Sequence, residues 1–297
     1  MGSAMSRLGR LAVKNKEMAV RFFLLLIVSC IGLAARAAPV ELTLPDKLVA
    51  KAEYREGDAD KPAVILLHGF LQTHEFPTIH SLVEGLAGSG RTVLAPTLTL
   101  GVTYRSQSMA CEAIHTHTMS GVEREIDTWV KWLKARHKGP IILLGHSFGS
   151  VEVLAYLSGK PDPAITRFIG ISIIEGRLRL DAERFGKLIR EMRRAVKSGE
   201  PRVVTHPFSF CQKYQATPAS LLSYLEWTPR RVLDASARLP LPNLFIMGGL
   251  DDRLGDGWVE KLKARNRVKI IPGANHFMDG EHEFDLLDAV LTELQAS

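Results

Sequence analysis

Short, uninterrupted apolar runs recur along this chain, each followed by a stretch with helical spacing. Residues 61–70 ("KPAVILLHGF"), 91–98 ("RTVLAPTL"), 140–147 ("PIILLGHS"), 165–174 ("ITRFIGISII"), 241–249 ("LPNLFIMGG") and 267–273 ("RVKIIPG") are the runs. They are short for helices and lack the polar alternation of a half-exposed strand, so they read as strands covered on both faces. The stretches between them carry helical periodicity. In residues 121–137, Val122, Ile126, Trp129, Val130 and Leu133 fall on one face. Strand alternating with helix implies right-handed crossovers and a mostly parallel sheet with helices on both faces. Before the first buried run, "VELTLP" and "LVAKAEYREG" alternate and read as edge strands, paired as a hairpin.

Two segments break the alternation. Residues 97–120 form a connection too long to be a simple link, a length typical of functional loops. Residues 175–239 begin with a strongly basic helical pattern ("RLRLDAERFGKLIREMRRAVK"), continue loop-like through "SGEPRVVTHPFSFCQKYQATPAS" and become helical again at "LLSYLEW". This second segment reads as a helical cap inserted between two sheet strands. Glu183, Glu191 and other acids of the basic helix stand at pairing distance from its Arg and Lys residues, which fits a solvated face.

The net charge of +6 is concentrated before residue 38, where six of the 38 Lys and Arg residues lie but only one of the 32 Asp and Glu residues. The remainder is nearly neutral, which removes the main argument for a nucleic-acid partner. The same segment holds the apolar stretch "FFLLLIVSCIGL", shorter than the roughly 20 residues of a membrane span, and then "AARAAPV", where Ala35-Arg36-Ala37 fits a cleavage site. The expectation is an export signal over residues 1–37, with Met18 as a possible start, followed by one domain over 38–297. An uncleaved anchor, the only expected membrane contact, and a lipoprotein site at Cys30 are the alternatives. Once Cys30 is lost, Cys111 and Cys211 remain. An even pair in an oxidising compartment is a disulfide candidate.

Residues 145–149, Gly145-His146-Ser147-Phe148-Gly149, fit G-x-S-x-G with a buried strand directly before and a helix directly after. A serine on so tight a turn raises its hydroxyl above the sheet edge, and the flanking glycines leave it room. The following helix directs its N-terminus at the site, where an oxyanion is favoured. Serine alone is a poor nucleophile and needs a base held by an acid. His276, in "PGANHFMDG" just past the last strand, is in place for the base.

On these motifs the whole region after residue 37 resembles an α/β-hydrolase fold serine hydrolase, of the esterase and lipase kind. The resemblance places the acid after the preceding strand, in "LFIMGGLDDRL". Taking Gly249 as the first glycine of G-x-x-D makes it Asp252, the favoured choice; taking Gly248 makes it Asp251. Glu175 is a third, less common position. The order Ser147, acid, His276 is that of the family. His68-Gly69-Phe70 resembles the family's HG-x motif, which implies an oxyanion hole from the Phe70 and Phe148 amides, with Gly69 allowing close approach and His68 bracing the loop. The implied activity is cleavage of a small-molecule or lipid-like acyl ester, with no metal and no cofactor. A thioesterase, peptidase or acyltransferase would use the same residues, and a non-catalytic binding module could share the fold. The pair His115-x-His117, near Cys111 and Glu112, lacks a third spaced ligand and is expected to shape the pocket rather than hold a metal.

Overall fold

The computed structural model describes residues 38–175, 180–199 and 202–295. The expected signal segment and Cys30 lie outside them. Eight strands form one sheet. They are β1 (Ala38–Thr43), β2 (Val49–Arg55), β3 (Ala63–Leu67), β4 (Val93–Thr97), β5 (Ile141–His146), β6 (Ile165–Ile171), β9 (Asn243–Gly248) and β10 (Val268–Ile271), in the order β1-β2-β4-β3-β5-β6-β9-β10. The β1–β2 hairpin is antiparallel and β2 also runs antiparallel to β4; the other five pairings are parallel. The expected fold class is therefore present.

The buried runs behave as double-faced strands. In β3, Ile65 and Leu67 enter one apolar cluster while Val64 and Leu66 enter the other. Helices α2 (Met119–Lys134), α3 (Phe148–Leu157) and α7 (Trp258–Lys263) belong to the first cluster, and α1 (Pro77–Gly88) and α8 (His282–Gln295) to the second. Val122, Ile126, Trp129, Val130 and Leu133 of α2 are all buried, as their spacing requires. Thr118 caps this helix, its hydroxyl accepting from the Gly121 amide at 3.2 Å.

From β3 the chain crosses to β4 on one side and then returns to β5 on the other. The carboxyl ends of β3 and β5 are thus the place where connections diverge, and a crevice opens there. Leu67 pairs with Gly145 across these two strands. The loop that starts at His68 is thereby set beside the turn that starts at His146.

The segment between β6 and β9 contains α4 (Ala182–Ser198), strands β7 (Val204–Phe208) and β8 (Cys211–Ala216), then α5 (Pro218–Leu225) and α6 (Pro229–Ser236). The part expected to be a loop is an antiparallel hairpin. Its alternation was obscured because Pro207 interrupts β7 and the pairing slips between His206 and Phe208. The buried positions Val204, Phe208, Cys211, Tyr214 and Ala216 still mark one inward face. Helix α4 begins at Asp181, whose carboxylate accepts from the Arg184 amide at 2.8 Å, and stops at Gly199 in left-handed conformation (φ 68°). Its basic side chains face solvent, with Arg193 paired to Glu226 at 3.0 Å.

Residues 98–118 are fastened to this hairpin. The His115 amide donates to Gln215 O at 2.9 Å and the Thr217 amide to His115 O at 3.0 Å. A disulfide joins Cys111 to Cys211, 100 residues apart, as the cysteine count led one to expect. No helix among the described residues is long and apolar enough to cross a membrane.

Candidate active site

Ser147 stands between β5 and α3 with φ 55° and ψ −121°, a left-handed conformation that a serine adopts only when its surroundings enforce it. They do so by hydrogen bonds. The Ser147 amide donates to Ile171 O at 2.8 Å on the neighbouring strand, and the Ser150 hydroxyl donates to Gly145 O at 2.5 Å. The flanking glycines are required by contacts made across the turn. A Cβ on Gly145 would lie 2.5 Å from Gly149 O, and one on Gly149 would overlap the His68 carbonyl oxygen.

His276 lies in the turn after β10, buried to 4% exposure. Its Nε2 is 2.8 Å from Ser147 Oγ, and its Nδ1 is 2.7 Å from Asp251 Oδ2. Both ring nitrogens are thereby engaged, which leaves none for Asp252 or Glu175. Asp252 is exposed to solvent, and Glu175 packs against Gly255. The carboxylate beside His276 is thus that of Asp251, the second choice from sequence, not Asp252. The turn geometry explains the shift. Gly248 ends β9 pressed against the loop that carries His276, where a Cβ would meet Ala274 O and Asn275 O at 2.5 Å. It is therefore Gly248 that opens the G-x-x-D turn. Asp251 Oδ1 accepts from the Arg253 amide at 3.0 Å, which fixes the carboxylate.

The loop after β3 brings Phe70 against the turn at Ser147. The Phe70 and Phe148 rings pack at 5.3 Å, and neither amide has a backbone acceptor among the loop and cap hydrogen bonds of the described residues. His68 braces this loop as expected. Its Nδ1 bonds Gly69 O at 2.8 Å, while Nε2 accepts from the Leu98 amide and lies 3.1 Å from Arg105 Nη2. Burial and the Arg105 charge hold its pKa well below the ordinary histidine value. Arg105 is itself buried and donates to the carbonyls of Leu98 (2.6 Å), Gln72 (2.8 Å) and Gln107 (3.0 Å), pinning the two loops together. Nothing in the irregular sequence around Arg105 marked it for this role.

His146 is a second residue whose part becomes visible only in three dimensions. It is fully buried, and its Nε2 donates to the main-chain oxygen of His276 at 3.1 Å. Burial, followed by the neighbouring His276, pushes its pKa down to about 3, so it is neutral at physiological pH. The histidines at 115 and 117 meet edge to face at 5.4 Å; His115 stacks on Tyr214 and His117 bonds the Tyr224 hydroxyl at 2.6 Å. They brace the hairpin, and among the described residues no three metal-ligating side chains are grouped.

Above Ser147 opens a cavity of ≈ 400 Å³, bordered by His276, by Phe70 and Gln72 of the first loop, and by Ser209, Phe210 and Gln212 at the tip of the β7–β8 hairpin. The profile of the alpha/beta hydrolase family matches residues 64–289, three-quarters of the chain. The chain belongs to that family. Solved structures agree in fold. A structure of DcsB in complex with its substrate analogue superposes with TM-score 0.67 at 14% identity, covering 88% of this chain and 99% of that one. Est1E from Butyrivibrio proteoclasticus gives 0.60 at 18% identity (88% and 99%), and a monoacylglycerol lipase from Paleococcus ferrophilus gives 0.62 at 17% (82% and 98%). A comparison with curated proteins returned no match.

Proposed function

We propose that this hydrolase cleaves carboxylic esters through an acyl-enzyme, with Ser147 as nucleophile, His276 as base and Asp251 as the acid that orients it. The observation that carries the reading is the unbroken hydrogen-bond chain Asp251–His276–Ser147 at the floor of the cavity, at 2.7 and 2.8 Å. His276 takes the Ser147 proton at Nε2 as Oγ bonds the carbonyl carbon. Asp251 keeps the other nitrogen protonated and stabilises the imidazolium. The Phe70 and Phe148 amides receive the developing oxyanion, each such donor being worth roughly 100- to 1,000-fold in turnover. The carbon–oxygen bond then breaks, and the leaving oxygen takes the proton from Nε2. Water, deprotonated by His276, releases the acid and restores Ser147.

The insertion at 175–239 acts in this scheme as a cap: its hairpin tip forms one wall of the cavity. Export is part of the proposal, supported by the Cys111–Cys211 disulfide. The test is labelling with a fluorophosphonate, together with turnover of p-nitrophenyl esters of graded chain length and of matched thioesters. Wild type is expected to label and turn over, and Ser147→Ala to do neither. An unlabelled wild type, or a Ser147→Ala variant that labels equally, overturns the reading.

A further inference from the structure

Resting on the hydrolase reading above, we infer that the ester's alcohol portion carries an anionic oxyacid group, and that Arg253 binds it. Among the described residues, Arg253 is besides His276 the one ionisable side chain on the cavity wall, and none of them brings a carboxylate to that wall. Asp252, adjacent in sequence, is exposed away from the cavity lining, and Asp251, two residues before, has its side chain 1% exposed and committed to His276 and to the Arg253 main-chain amide. Among the described residues the Arg253 guanidinium makes no ion pair. It lies instead over the Phe277 ring, 4.6 Å from its centre, an arrangement that holds the flat cation in place while leaving its N–H edges free.

The position of this charge assigns the end of the substrate that it meets. The leaving oxygen is protonated by His276 Nε2, so the alcohol portion departs on the His276 side. Phe277 is the next residue, its ring 5.4 Å from that of His276, and Arg253 sits on Phe277. Phe70, Ile174 and Phe210 give the cavity apolar surface that can take the acyl chain. The cavity thus offers a cation close to His276 together with apolar surface, and Gln72, Ser209 and Gln212 add neutral polar groups. A guanidinium fork fits the two oxygens of a carboxylate, or two of a phosphate.

The experiment compares 4-acetoxybenzoate with its methyl ester, each rate normalised to the ester's own hydroxide-catalysed hydrolysis. Wild type is expected to favour the anionic ester by about tenfold in kcat/KM, the scale of one hydrogen bond to a charged group. The preference should fall as salt is raised. Arg253→Gln should cost the anionic ester about tenfold more in kcat/KM than the neutral ester, the difference appearing in KM, and Arg253→Glu should invert the preference. Turnover of the methyl ester without any preference in wild type, or an equal loss on both esters in Arg253→Gln, overturns the inference while the hydrolase reading stands. Failure to hydrolyse either ester, with Ser147 unlabelled by a fluorophosphonate, overturns both.

Discussion

Oδ2 of Asp251 lies 2.7 Å from Nδ1 of His276, and Oδ1 of the same carboxylate accepts the Arg253 amide at 3.0 Å. Both oxygens are thus assigned, one to the imidazole and one to the backbone that holds it. Asparagine at 251 keeps the shape but can present an N–H to Nδ1, which selects the wrong tautomer. Asp251→Asn is expected to lower kcat by about 10⁴-fold with little change in KM. Asp252→Asn, on the exposed neighbour, should stay within about twofold of wild type. Steady-state kinetics of the two variants on one p-nitrophenyl ester decide the assignment, and a reversed pattern would return the role to Asp252.

The contrast between these adjacent residues shows where sequence stops being informative. Ser147 was legible because it follows a buried apolar strand directly, and His276 because it lies in the glycine turn after the last strand; the sheet order fixes where such strand ends meet. Which of two consecutive aspartates faces His276 depends on a single residue of turn register. That register is set by Gly248 pressing on Ala274 O and Asn275 O, a contact between segments far apart in sequence. The β7–β8 hairpin was hidden for a related reason. Pro207 sits inside β7 and the pairing slips between His206 and Phe208, so the apolar positions lose their period of two. The roles of His146 and Arg105 carry no local pattern, since they rest on bonds to main-chain oxygens of His276 and Gln72 in segments distant in sequence.

His146 makes acid sensitivity a measurable consequence of the site's construction. In the folded chain its pKa is pushed down to about 3; in the unfolded chain it returns to about 6.5. Above pH 6.5 neither state is protonated and the residue costs nothing. Below pH 6.5 the unfolded state gains a proton that the folded state refuses, so stability is lost as pH falls towards about 3. Glutamine at 146 has a donor for the His276 oxygen and no titration. Going from pH 8 to pH 4.5, the stability of His146→Gln relative to wild type should rise by roughly 2–3 kcal/mol. Urea unfolding at the two pH values reads this directly, and an unchanged difference would mean that His146 titrates normally.

The Cys111–Cys211 bridge ties the loop at 98–118 to the hairpin that supplies Ser209, Phe210 and Gln212 to the cavity. Its closed loop of 100 residues is long, so removing it frees much of the unfolded chain. The double variant Cys111→Ser/Cys211→Ser is expected to lose about 2–4 kcal/mol of stability. KM for long-chain esters should rise more than kcat falls, because the hairpin shapes the wall while Ser147 and His276 are held by the sheet. Chemical denaturation and a chain-length series measure the two effects separately. A fall in kcat at constant KM would place the hairpin in the chemical step instead.

Gly149 links the serine turn to the loop after β3. A methyl group there would overlap the carbonyl oxygen of His68, a main-chain atom that cannot swing aside. The loop after β3 and the N-terminus of α3 would have to separate, and the Phe70 and Phe148 amides are carried on those two segments. Gly149→Ala is therefore expected to lower kcat by roughly 100-fold or more, the scale of losing one oxyanion donor. Its stability should also fall by about 1–3 kcal/mol from overpacking. The near-ultraviolet circular dichroism of the purified variant shows whether the core is intact. Within folded protein, fluorophosphonate labelling should slow by a similar factor, since that adduct also places a negative oxygen between the two amides. Near-normal labelling with slow ester turnover would mean that the overlap is relieved away from the amides.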